Sequence, residues 1–254
     1  MKGNNFSPGN TALLISFVLM LLIACDKNQP VQSGARKEPP LQAPRHRLLD
    51  LPDVLNTDVL VPLTVGNWWK YETTTFIPSP EPDRKDSLML RIFEDTLVTY
   101  KGQSFLAAVR GWYIEKEDIV RDRRWLYMNN NEGLNVVGGI SKYDTISTKY
   151  VERKFPVNAG DSWKIQELEF EPFQWVFSDT VVVNCIATDE PFETPAGTFQ
   201  CYVYYFIKPL QHASTPRENF VYYTPGIGLV GWEERNQGHE NLLFRTALYA
   251  ARIR

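Results

Sequence analysis

The chain has 254 residues, 43% of them hydrophobic, with 27 Lys and Arg against 30 Asp and Glu and a net charge of −3. No basic stripe dominates any stretch, which argues against a nucleic-acid partner. Length and apolar content suffice for one large core or two small ones.

The chain opens with Lys2, a polar lead and an apolar run over 12–24 that ends in small residues beside a cysteine. The run is too short and too weakly flanked for a membrane span, so residues 1–24 read as a secretory signal peptide. LIAC at 22–25 resembles the lipobox of bacterial lipoproteins. That resemblance implies cleavage before Cys25 and lipid, palmitate included, on its sulfur and its new amine. One acyl chain binds a membrane marginally, whereas three hold it essentially permanently. No later apolar stretch is long enough to cross a bilayer, so this lipid is the expected anchor. Asp26 resembles the inner-membrane retention signal of enteric lipoproteins, but other lineages sort differently. The expected location is the cell envelope, the outer membrane first, with the side it faces left open.

Residues 25–61 form a lipidated cysteine and a tether carrying Pro30, Pro39, Pro40, Pro44 and Pro52 among polar residues. Such a composition cannot bury enough apolar surface to offset its ordering entropy. Its apolar end, from Leu48 and Leu49 to Leu60 and Val61, is placed to dock on the body that follows.

That body reads as a duplication. PLTVGNWWKY at 62–71 aligns without a gap to PVNAGDSWKI at 156–165, and WLYMNNNEGL at 125–134 aligns to FVYYTPGIGL at 220–229. KGQSF at 101–105 sits opposite AGTF at 196–199. Two β units are therefore expected, copy 1 at 62–155 and copy 2 at 156–254. Within them, strands are expected at 68–76, 87–99, 104–116, 119–128, 163–170, 175–188, 198–208, 218–224, 229–234 and 242–253. These stretches are rich in aromatic and β-branched residues and are broken by Gly, Pro, Asn and Asp. Only 241–254 tolerates a helical period. The fold class is all-β, an antiparallel meander closing as a barrel, half-barrel or sandwich.

Alternation along 198–207 puts Phe199, Cys201, Val203, Tyr205 and Ile207 on one face and Gln200, Tyr202, Tyr204 and Phe206 on the other. Both faces are apolar or aromatic, so the strand is either sandwiched between two layers or lines a groove. In the second case Tyr202, Tyr204, Phe206 and Tyr223 are the ligand-facing residues, suited to a lipid, glycan or peptide. Cys185 and Cys201 are equidistant from the middle of the 190–197 loop, so a symmetric hairpin sets them opposite one another. In an oxidising compartment they then bridge; otherwise they are two small buried hydrophobes.

Little points to chemistry. GIGLVG at 226–231 matches the dinucleotide glycine pattern, but Pro225 precedes it and a strand follows it, so no helix N-terminus can receive a pyrophosphate. His46, His212 and His239 stand apart in polar segments, and no metal-spaced set or nucleophile motif occurs. The acidic runs at 115–118 and at Glu233 and Glu234 read as strand-end charges, with a glycosidase-type or calcium-binding pair as the sharper alternative. The stretch from Asp122 to Arg124 reads as an edge-strand charge guard.

TPAGTFQCYVY at 194–204, YYTPGIGLV at 222–230 and VGNWWKY at 65–71 resemble a loose family of uncharacterised bacterial periplasmic and lipoprotein β domains. The resemblance implies an exported all-β domain and carries no catalytic residue. The expectation is a lipid-anchored envelope protein without enzymatic activity, cofactor, metal or nucleotide. It would act as a binding or assembly module toward an envelope protein, glycan or lipid. The alternatives are a carrier holding a hydrophobic ligand in a curved sheet and, behind it, a hydrolase with a carboxylate pair.

Overall fold

The computed structural model describes residues 48–76, 82–114, 119–171, 174–208 and 215–254. The signal peptide, Cys25, and the tether as far as residue 47, with His46, lie outside the described residues, as do His212 and the acidic run at 115–118.

A two-residue strand, β1 (Leu49–Asp50), precedes two meanders of six strands each. The first is β2 (Trp68–Thr75), β3 (Arg84–Tyr100), β4 (Gln103–Ile114), β5 (Ile119–Asn130), β6 (Gly133–Ile140) and β7 (Thr145–Lys154). The second is β8 (Ser162–Glu171), β9 (Gln174–Thr194), β10 (Gly197–Lys208), β11 (Arg217–Thr224), β12 (Gly228–Asn236) and β13 (Leu242–Arg252). The described residues contain no helix, and the segment that tolerated one is β13.

All strands belong to one sheet, ordered β7-β6-β5-β4-β3-β2-β13-β12-β11-β10-β9-β8, with β1 added beside β13. The meanders join where β2 pairs with β13, from Thr75 opposite Phe244 to Trp68 opposite Arg252. The free ends, β7 and β8, face each other without a ladder, so the sheet is a barrel that nearly closes.

The two meanders begin alike. Gly66 and Gly160 have positive φ, +90° and +96°, a backbone conformation that side chains disfavour. Gly66 N–H donates to Ile92 O (3.1 Å) while Ile92 N–H donates to Asn67 O (2.9 Å). Gly160 N–H donates to Cys185 O (2.7 Å) while Cys185 N–H donates to Asp161 O (2.9 Å). The same two-bond clasp thus pins each first strand to its successor.

Residues 48–61 are already tied to the β strands. Leu48 O and Asp50 O accept the N–H groups of Ala251 and Ile253, each at 2.9 Å, and Val59 O accepts that of Gly226 at 2.8 Å. Asn129 Nδ2 donates to Val61 O at 2.7 Å, and Leu60 and Val61 are buried. The apolar end of the tether therefore docks on the β domain and becomes part of it.

The main core gathers inward residues of both meanders, among them Trp69, Tyr71, Ile92, Leu134, Val183, Tyr204 and Leu248. A smaller cluster of Val98, Ala107, Val109, Leu126 and Val137 lies on the opposite face of β3 to β6. Residues 133–139 of β6 are consequently buried on both faces, and its glycines serve that crowding. At Gly139 a Cβ would stand 2.5 Å from the Trp175 ring.

The two apolar faces read along β10 have a different origin from either alternative. Register shifts between Cys201 and Val203 and again between Val203 and Tyr204 re-phase the strand. Phe199 and Cys201 point into the main core before the irregularity, and Tyr204 and Phe206 after it. The turn closing at Thr194 and Gly197 by itself puts Cys201 opposite Glu190, and beyond the two shifts Cys185 stands opposite Tyr204. The symmetric register is thereby corrected, and both thiols are free and buried.

Burial pushes the Cys201 thiol up to about 11, against an opposing hydrogen bond with Thr224, and raises Cys185 as well. The stability that Cys201 contributes is complete below its ordinary value of 9.0 and is lost as pH rises toward about 11. In a Cys25→Ser chain at pH 8, a thiol reagent is expected to leave both cysteines untouched until urea unfolds the protein, then to modify both. Rapid modification of the native protein would show the core to be looser than described.

Candidate functional site

Where the ladder is missing, side chains of β7, β8 and the neighbouring strands bridge the gap. At one end, Trp175 donates its backbone N–H to Asp144 Oδ2 (3.1 Å) and its indole N–H to Asp144 O (3.3 Å). Midway, Leu168 N–H donates to the Tyr150 hydroxyl (3.0 Å) and the Trp125 indole donates to Leu168 O (3.1 Å). At the other end, the Tyr204 hydroxyl donates to Lys154 O (2.8 Å). The Lys154 ammonium lies 5.6 Å from the Trp163 ring centre.

Charged groups gather behind this seam. Arg110 donates to the Tyr127 hydroxyl (2.8 Å), with its guanidinium 3.9 Å from the Tyr127 ring centre. Arg153 is 4% exposed, 5.3 Å from the Phe206 ring centre and 6.0 Å from that of Tyr204. It comes inward through a bulge: Leu134 pairs with Arg153 and Asn135 with Val151, leaving Glu152 as the extra residue. Arg153 Nη1 donates to Glu152 O (2.8 Å), while Arg153 Nε and Glu152 Oε2 have no hydrogen-bond partner. Lys208 is clasped by Glu169 and by Glu167 (3.0 Å), and Arg217 lies 3.5 Å from Glu234.

Electrostatics follow from this packing. Burial works against the charge on Arg110, but Tyr127, Tyr223, Glu152 and Tyr71 together outweigh it and hold the guanidinium protonated. Burial opposes Arg153 and Lys208 in the same way, offset chiefly by Glu152 and by Glu167 with Glu169. Burial raises Glu234 despite Arg217 and Lys208. It also pushes Tyr71, Tyr127, Tyr204 and Tyr223 upward, which keeps them neutral. The two fully buried arginines, Arg110 and Arg153, share Glu152 as a neighbour, whereas the groups around Lys208 and Arg217 keep part of their surface in solvent.

Three of the four aromatics singled out in the sequence meet here. Tyr204 and Tyr223 pack edge to face at 5.7 Å, and Phe206 lies under Arg153. Tyr202 is apart, edge-on to Phe155 at 5.3 Å. Glu233 and Glu234 point to opposite faces. Glu233 accepts from Tyr222 (3.2 Å) and pairs with Arg245 (3.3 Å), while Glu234 faces Arg217. They are largely buried and ion-paired, and not the solvent-facing strand ends that sequence alone suggests. Residues 225–227 form the turn before β12, and Gly231 lies within that strand. His239 is exposed between β12 and β13. No group of three or more His, Cys, Asp or Glu able to hold a metal occurs among the described residues.

Arg110 and Arg153 were missed in the sequence. Arg110 had a signal, since it alternates with Ala108 and Trp112 on the inward stripe of β4. Arg153 had none, because only the bulge turns it inward.

No model of a known protein family matches the chain, and neither does any curated protein. Two solved structures are similar, each covering 77% of this chain and 99% of its own at a TM-score of 0.40. One is a protein of Bacteroides fragilis, inferred to be exported and assigned a YmcC-like fold, 16% identical. The other is a candidate lipoprotein of Parabacteroides distasonis, 14% identical.

Proposed function

We propose that this protein is a lipid-anchored bacterial envelope protein that acts as a non-enzymatic binding or assembly module, meeting its partner with its outer surface. The observation that carries this reading is the filled interior. Tyr204 packs on Tyr223, Arg153 covers Tyr204 and Phe206, and residues 48–61 dock against the β domain. A carrier for a hydrophobic molecule would need that aromatic stripe bare, and an acyl chain beside these ions would leave them unsolvated. A glycosidase-type pair needs two carboxylates across one gap, whereas Glu233 and Glu234 point apart and are held by arginines.

Lipid anchoring rests on LIAC at 22–25. In cells grown on labelled palmitate, label is expected on the wild-type chain and absent from Cys25→Ser. An unlabelled wild-type chain would overturn the anchor.

We also read residues 62–155 and 156–254 as copies of one unit. The common strand order of the two meanders and the matching clasps at Gly66 and Gly160 support that reading.

A further inference from the structure

We infer that the barrel parts along β7 and β8, with Tyr150 as the latch of this seam and the 155–161 connection as its hinge. Opening hydrates Arg153 and Glu152 and bares two facing strand edges. The inference goes beyond the reading of the protein as an anchored module and holds whether or not Cys25 carries lipid.

The sheet has two joints between its meanders, and they are built differently. At the first, β2 and β13 share a ladder of eight residue pairs. Side chains reinforce it: Thr73 Oγ1 lies 3.0 Å from Thr246 Oγ1, and Asn67 Oδ1 accepts the Arg254 N–H at 2.9 Å. At the second, between β7 and β8, no backbone group bonds to a backbone group among the described residues. The hydrogen bonds across it, at Asp144, Leu168 and Lys154, each use a side chain. Each such bond contributes modestly, so local opening follows the line that carries fewest of them.

The closed seam also strands polar groups. Arg153 Nε, Glu152 Oε2 and the Trp163 indole N–H are buried without a hydrogen-bond partner, and water supplies partners once the strands separate. At the laddered joint the inward side chains of β2 are already satisfied. The Trp69 indole donates to Ile227 O at 2.6 Å and the Tyr71 hydroxyl to Leu229 O at 2.9 Å. Hydration on opening therefore offsets lost bonds at β7 and β8, and offers β2 nothing comparable.

The hinge follows from how the connection is held. Phe155 and Val157 are buried, Phe155 N–H donates to Glu132 O (3.1 Å) and Gly160 N–H donates to Cys185 O (2.7 Å). The connection is thus bound to both meanders, and the strands swing apart beyond it. Tyr150 stands between this hinge and Asp144. Its hydroxyl accepts the Leu168 N–H at 3.0 Å, while the Trp125 indole holds Leu168 O at 3.1 Å.

The test follows thiol modification in the full chain with Cys25→Ser, read site by site by peptide mass spectrometry. Leu168→Cys puts a reporter on β8 in the seam and Leu248→Cys puts one on β13 at the laddered joint; both leucines are buried, 4% and 0% exposed. At low urea Leu168→Cys is expected to react at least about tenfold faster than Leu248→Cys, at a rate that barely changes with urea, while Leu248→Cys follows global unfolding. Tyr150→Phe is expected to speed the reaction at Leu168→Cys by about threefold to tenfold. Gly197→Ala, which strains a turn outside the seam, is expected to speed Leu248→Cys by about fivefold or more and to leave Leu168→Cys unchanged. Where a cysteine variant does not fold, exchange of the Leu168 and Cys185 amides in the wild-type chain gives the same comparison, with Leu168 faster by about tenfold and less dependent on urea. Equal rates with equal urea slopes at the two sites, or acceleration of both by Gly197→Ala, would show that only global unfolding exposes Leu168 and would overturn the inference. So would Leu168→Cys reacting as fast as a free thiol, since a seam that stands open has no latch.

Discussion

Replacing Gly133 with alanine is expected to cost the fold about 3–5 kcal/mol, read as a fall in the urea midpoint. Two effects add. Gly133 has φ +124°, closed to residues with a side chain, and a Cβ there would stand 2.2 Å from Arg153 O and 2.5 Å from Phe155 N. Both obstacles are backbone, so neither can swing aside. Gly197 provides the control, because its φ of +135° is similar and nothing lies within 4 Å of its Cβ position. Gly197→Ala should therefore show the conformational strain alone, about 1–3 kcal/mol. Equal losses at the two positions would mean that β6 and the β7 bulge do not approach as closely as described. The contact matters because that bulge turns Arg153 into the interior.

The second large effect is expected at Arg153 itself. Arg153→Met keeps the bulk of the side chain but deprives Glu152 of one of the two buried cations it interacts with, Arg110 being the other, and should cost about 3–5 kcal/mol. Adding Glu152→Gln removes the stranded charge, so the double variant should recover at least about half of that loss. Urea melts of the two single variants and the double variant at pH 7 measure the coupling. Additive losses would show that the two side chains do not interact, and the network behind the seam would have to be redrawn around Glu167.

Most strands could be read from residue pattern, because aromatic and β-branched runs between Gly, Pro and Asn clusters mark them. β6 and β7 escaped that reading for separate reasons. β6 carries three glycines in eight residues and looks like a loop. Its glycines are there because the Trp175 ring and the backbone of Ile146 press on Gly139 and Gly138, a crowding visible only once both faces are covered. β7 looks polar because Lys149, Glu152, Arg153 and Lys154 dominate it, and its inward arginine depends on the bulge. The cysteine register failed for a different reason: the hairpin was expected to be centred on residue 193, whereas it turns between Thr194 and Gly197, which sets Cys201 opposite Glu190 before either irregularity of β10 is reached. Of the interior cluster, Tyr204, Phe206 and Tyr223 were legible as an aromatic stripe, but the arginines and carboxylates they meet come from strands distant in the chain.

The sequence by itself determined the all-β class and the docking of the segment from Leu48 to Val61. Each is local: side-chain alternation, turn residues and hydrophobic runs act over a few neighbours. Tertiary structure decided which faces are inside, which strands are buried twice, where the barrel stays unladdered and which ions share the interior. Those depend on bulges that shift register by one residue and so reverse every side chain beyond them, and on approaches between strands far apart in sequence.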